Sequence, residues 1–122
     1  MANILNWFEI PVSDFERAKQ FYTTVTGGEM HVEEVLDTKM GFFQNDGEGV
    51  GGAICFGKNY VPSSEGSLIS LNGGEDLTEQ LSKIEPAGGT VILPKTKISD
   101  EFGYFALFID TEGNKLGLHS PT

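Results

Sequence analysis

The order of periodic segments repeats once along this chain of 122 residues, and that repetition restricts the fold more than any single motif does. Residues 4–12 alternate, with Asn6, Phe8, Ile10 and Val12 on one side and Leu5, Trp7 and Glu9 on the other, the pattern of a strand with one covered face. Ser13 followed by Glu16 reads as a capping box opening a helix. Phe15, Ala18, Phe21, Tyr22 and Val25 then recur at helical spacing, and Gly27-Gly28 supplies the stop. Residues 30–35, 40–44 and 50–56 read as three short strands, separated by Asp37-Thr38-Lys39 and by the turn-rich residues 45–49. A polar connection containing Pro62 and Gly66 spans residues 57–66. The pattern then begins again: a strand at 67–71, a helix carrying Leu77, Leu81 and Ile84 and closed by Pro86 and Gly88-Gly89, and strands at 90–93, 104–109 and 115–119.

Set side by side, the halves match Gly27-Gly28 with Gly88-Gly89, Gly41-Phe42-Phe43 with Gly103-Tyr104-Phe105 and, loosely, Asn45-Asp46-Gly47 with Thr111-Glu112-Gly113. This predicts an α+β chain of two βαβββ modules, residues 1–60 and 61–122, within one domain. Each module has one helix for one short sheet, so the sheet's second face stays bare unless the other half, or another chain, helps to enclose it. Two curved mixed sheets sharing one cleft, with the helices on the convex side, is the economical solution.

Composition narrows the partners. Eight Lys and Arg against 18 Asp and Glu leave a formal charge of −10, which repels phosphate backbones and acidic lipid headgroups, so neither nucleic acid nor membrane is expected as a partner. Cys55 is the single cysteine, so an internal disulfide and a thiolate zinc cage are both excluded, and a reducing, cytoplasmic setting is expected. The first residues lack the basic and apolar regions of an export signal, and no window approaches a membrane-spanning length.

Residues 9–22, from Glu9-Ile10-Pro11-Val12 through Phe21-Tyr22, with Gly27-Gly28 after them, resemble the opening module of the vicinal oxygen chelate superfamily, which includes glyoxalase I, bleomycin resistance proteins and extradiol dioxygenases. Residues 103–118, with Asp110-Thr111-Glu112-Gly113-Asn114 before the last strand, resemble its second module. The resemblance implies the fold and a homodimer; motifs that build a helix and a turn specify activity weakly. It also implies that a divalent metal would be held by His and Glu from the first and last strand of each module. Here those positions fall at Trp7, Cys55, Ser67 and Gly117, none of them His or Glu. Indole offers only a donor, glycine offers no side chain, and one thiol with one hydroxyl makes a poor cage for a hard cation. A slip of two residues keeps the strand face and yields Glu9 and His119, a displaced pair.

The expected function is therefore small-molecule binding without metal or other cofactor, with Trp7, Glu9, Cys55, Ser67, Gly117 and His119 around an apolar or aromatic ligand. The alternative is a glyoxalase- or dioxygenase-like enzyme using a displaced metal, or Glu9 as general base. Cys55, between Ile54 and Phe56, reads more simply as a small buried hydrophobe than as a nucleophile, and Lys95 is expected in a loop bordering the cleft.

Overall fold

The computed structural model describes residues 3–122. Ten elements follow in the order β1 (Trp7–Pro11), α1 (Phe15–Thr26), β2 (His31–Val35), β3 (Thr38–Phe42), β4 (Gly51–Phe56), β5 (Ile69–Asn72), α2 (Thr78–Ile84), β6 (Thr90–Ser99), β7 (Gly103–Ile109) and β8 (Lys115–Ser120). They form two four-stranded mixed sheets of matching topology, β1-β4-β3-β2 and β5-β8-β7-β6, in which β1 pairs parallel with β4 and β5 parallel with β8. This is the α+β architecture that the repeated segment order predicts.

One core serves both sheets. Phe15, Ala18, Phe21, Tyr22 and Val25 line the buried face of α1 and pack with Ile10, Val12 and Ile54 of the first sheet and Ala106, Phe108, Leu116 and Leu118 of the second. Leu77 and Ile84 close the same cluster from α2 and the turn before it. Strand alternation therefore sends Ile10 and Ile54 toward the helices and leaves Trp7, Glu9, Met40, Phe42, Ala53 and Cys55 on the opposite, open face of the first sheet.

Several boundaries differ from expectation for identifiable reasons. The helix is not opened by a box of Ser13 and Glu16: Asp14 is the N-cap, accepting from the Arg17 N–H at 3.1 Å, while the Ser13 N–H and hydroxyl both donate to Glu112, 99 residues away. The first hairpin turns at Leu36-Asp37, both at positive φ, so that Thr38 and Lys39 belong to β3. β5 begins at Ile69, not at 67: Ile69 pairs with Leu116, so Ser67 would face Asn114, which lies in the turn ahead of β8 and offers no ladder. β6 runs on through Pro94 to Ser99, because it is an edge strand whose register shifts around Leu93 and Thr96 accommodate a residue without an N–H. Lys95 thus sits in a strand, with its ammonium over the Tyr104 ring and 2.9 Å from Asp76.

The turn between β7 and β8 clamps the halves together. Buried Asp110 accepts from the Glu112 and Asn114 N–H groups through Oδ1, and through Oδ2 from the Tyr22 hydroxyl at 2.6 Å and from Asn114 Nδ2 at 3.0 Å. Asn114 Nδ2 also donates to the Pro11 carbonyl at 2.7 Å. Glu112, whose side chain has no exposed surface, accepts from the Asp14 N–H at 2.8 Å, from Thr111, and from Arg17 Nε at 2.7 Å. Burial pushes its pKa up, but Arg17, the Asp14 N–H and the Thr111 and Ser13 hydroxyls outweigh this and hold it at about 2, against an ordinary 4.5. A carboxylate with a depressed folded pKa contributes its full stabilisation above pH about 4.5 and loses it as the pH falls through about 2, a swing of order 3 kcal/mol. Urea titrations from pH 7 to 2 are expected to show the Glu112→Gln variant less stable than the parent at pH 7 and converging with it toward pH 2; parallel curves would disprove the clamp's charge dependence.

Candidate functional site

The open face of the first sheet carries a compact group of polar and aromatic side chains around Glu9. Alternation along β1 places Trp7 and Glu9 on this face, and the Trp7 indole N–H donates to Glu9 Oε2 at 3.3 Å. Tyr60, on the connection between the sheets, donates its hydroxyl to Glu9 Oε1 at 2.7 Å. Both carboxylate oxygens therefore hold a donor. That hydrogen bond to Glu9, with burial second, raises the Tyr60 phenol to about 12, so it remains protonated and donating at neutral pH.

Beneath these groups lies a small apolar floor of Met40, Ala53 and Cys55, all buried, with Phe42 and Tyr60 packed over it. The Trp7 and Phe42 rings lie 6.0 Å apart and His31 stacks beyond Phe42 at 6.2 Å, giving a row of flat side chains along the face. Trp7 retains 41% exposure, so its ring is available to a ligand. Burial first, and the Glu9 charge second, push the Cys55 thiol up to about 12, which removes it as a nucleophile at neutral pH.

On its other side Glu9 borders a cavity of about 210 Å³ between the sheets, walled by Pro11, Val61, Ile69 and Leu116 and bearing Glu65, Ser67, Asn114 and Lys115. The structure thus brings Trp7, Glu9 and Cys55 together directly and adds Ser67 through this cavity. Gly117 and His119 are elsewhere, in β8 of the second sheet. Gly117 is buried, and a Cβ there would stand 2.7 Å from Ser70 Oγ. His119 is exposed and its Nε2 donates to the Phe102 carbonyl at 2.6 Å. Neither borders the Glu9 cavity. Sequence reasoning missed Tyr60 because it falls in a connection without periodicity, where no face can be assigned.

The metal implied by the resemblance does not fit these residues. Trp7 brings an N–H already committed to Glu9, Cys55 a thiol held protonated, Ser67 a hydroxyl outside any strand, and Gly117 a hydrogen atom beneath Ser70. Among the described residues, no three His, Cys, Asp or Glu side chains converge. Among them, too, no helix is long and apolar enough to cross a membrane.

The glyoxalase/bleomycin resistance protein/dioxygenase superfamily model matches residues 4–118. The chain belongs to this superfamily. No curated protein matches it. Among solved structures, a glyoxalase/bleomycin resistance protein from Streptomyces sp. CB03234 is 25% identical, with 95% of this chain and 99% of that one covered at a TM-score of 0.66. TnmS3, an antibiotic-binding protein from the same source, is 23% identical over 100% of this chain and 99% of its own, also at 0.66. Glyoxalase I from Zea mays is 14% identical over 94% of this chain at 0.70, but this chain spans only 45% of the maize enzyme. The latter two likenesses concern the fold.

Proposed function

We propose that this protein is a metal-independent small-molecule-binding member of the superfamily, holding a ligand with a flat apolar body and a cationic or N–H donor group against Glu9. The observation that carries the reading is the environment of that carboxylate: it faces two donors, stands beside an aromatic row and borders a cavity of mixed apolar and polar lining. A ligand donor would replace the Tyr60 phenol or bind alongside it, while Trp7 and Phe42 would supply the stacking surface. The donor set argues against a resident metal because none of its four members offers a free, deprotonated ligand atom. Drug sequestration without turnover is the version we adopt, and the antibiotic-binding description of TnmS3 supports it.

The same reading extends to a homodimer in a reducing cytoplasm. Exposed Ile92, Ile98 and Phe102 on the second sheet and its loop supply apolar surface for a second copy, and Cys55 is left free. Sedimentation at micromolar concentration is expected to give twice the chain mass; a monomer mass would overturn this part.

Trp7 is the only tryptophan, so binding at Glu9 has a built-in reporter. Benzamidinium, a flat aromatic cation, is expected to change Trp7 emission saturably, and Glu9→Gln is expected to weaken its affinity about tenfold or more while leaving the urea midpoint near the parent's. Equal affinity in both proteins would overturn Glu9 as the anchor. Titration with nickel, zinc or manganese, and equally treatment with a chelator, is expected to leave the thermal midpoint unmoved, whereas a midpoint rising with metal concentration would restore the metal-enzyme alternative.

A further inference from the structure

Tyr60 stands outside every strand and helix, yet its side chain is held at two points. The hydroxyl is bonded to Glu9 and the ring packs on the floor made by Met40, Ala53 and Cys55. Its backbone, by contrast, is tied locally, with its N–H donating to the Gly57 carbonyl at 3.1 Å, and the connection meets the body of the protein again where the Ser63 N–H donates to Asn114 at 3.0 Å. A side chain that makes the shorter of the two Glu9 hydrogen bonds from a segment without ladder bonds can leave without breaking a sheet.

We propose that Tyr60 determines which ligands the site accepts: its phenol occupies Glu9 in the free chain, and a ligand gains the carboxylate by displacing it, lifting the ring from Cys55. The proposal rests on Glu9 being the ligand anchor. Its selectivity follows from exchange. A neutral ligand with a weak donor replaces one hydroxyl–carboxylate bond by another of the same kind and gains little, whereas a cation adds charge to the bond it makes and wins the exchange. The phenol, protonated at neutral pH, is a standing competitor that the second oxygen, bonded to the Trp7 indole at the longer 3.3 Å, does not face. Cys55, the single cysteine and fully buried beneath Tyr60 and Phe42, reports the displacement, because its thiol becomes reachable when the ring lifts.

The deciding variant is Tyr60→Phe, which keeps the ring and deletes the donor. In free protein at pH 8, Cys55 of this variant is expected to react with a disulfide-exchange reagent about tenfold faster than in the parent. The rate should not respond to low urea, which separates local lifting from global unfolding. The variant is also expected to bind benzamidinium about tenfold more tightly, and saturating benzamidinium should speed Cys55 labelling in the parent. Glu9→Gln should also quicken labelling, both because a neutral amide holds the phenol less firmly and because the charge that raises the thiol is gone, so Tyr60→Phe, which keeps that charge, carries the test. Equal labelling in parent and Tyr60→Phe overturns the proposal whatever the binding result. Faster labelling with no benzamidinium binding to any of the three upholds the Tyr60 latch and overturns instead the reading of Glu9 as a ligand anchor.

Discussion

Everything in this fold hangs on one buried carboxylate, Asp110. It stands where β7 ends, and its two oxygens organise the turn that follows and grip α1 of the other half through the Tyr22 hydroxyl. Once the turn is set, Glu112 and Asn114 are aimed at the first half as well, one capping the start of α1 and holding Arg17, the other holding the Pro11 carbonyl and the Ser63 N–H. A five-residue turn thereby fixes the end of β1, the start of its helix and the connection between the sheets. The desolvation of Asp110 and of Tyr22, whose phenol is raised well above its ordinary range by burial first, is tolerable because each group has its partners in place.

That clamp bears directly on the candidate site, because Asn114 and the Pro11 and Ser63 it binds all line the Glu9 cavity. β1 carries Trp7 and Glu9 and is an edge strand of its sheet, hydrogen-bonded to β4 on one side. Pinning Pro11 from the second half holds β1 beside the second sheet and so fixes Glu9 at the cavity between the two. The Ser63 tie does the same for the connection that delivers Tyr60 to the opposite oxygen of Glu9. Two anchors are divided along that connection: Ser63 is bonded to a buried asparagine, and Tyr60, three residues before it, to the Glu9 carboxylate.

The architecture was legible because it rests on periodicity and element order, and both survive errors at the boundaries. Phe15, Ala18, Phe21, Tyr22 and Val25 are the buried face of α1 as their spacing predicts, and Trp7 and Glu9 do share the face opposite Ile10. What local patterns could not reveal were partnerships across the sequence. Ser13 and Glu16 satisfy a capping rule, yet Glu112 takes over the Ser13 donors from 99 residues away, its carboxylate held in place against them by Arg17. Leu36 is a poor residue for a left-handed turn, so nothing local marked the hairpin that moves Thr38 into a strand. The repeat matched the two turns only loosely, and they differ in role: Asn45 and Asp46 accept from N–H groups of their own loop, whereas the Asp110 turn reaches the other half.

The candidate site was half legible for a related reason. The resemblance pointed to Trp7, Cys55 and Ser67, and strand alternation from Trp7 to Glu9, but neither says anything about a connection, so Tyr60 was missed and Ser67 was put in a ladder that ends before reaching it. The same two-residue slip on β8 paired His119 with Glu9. Within one chain the Glu9 cavity ends at Lys115 and Leu116, short of Gly117 and His119 along β8. The chemistry available to Glu9 is then set by its neighbours. These are an indole, a phenol and a protonated thiol on the sheet side, and on the cavity side a wall of Pro11, Val61, Ile69 and Leu116 that also carries Glu65 and Lys115. The formal charge of −10 acts at longer range, raising the encounter rate of any positive ligand with the whole surface whatever the local contacts around Glu9.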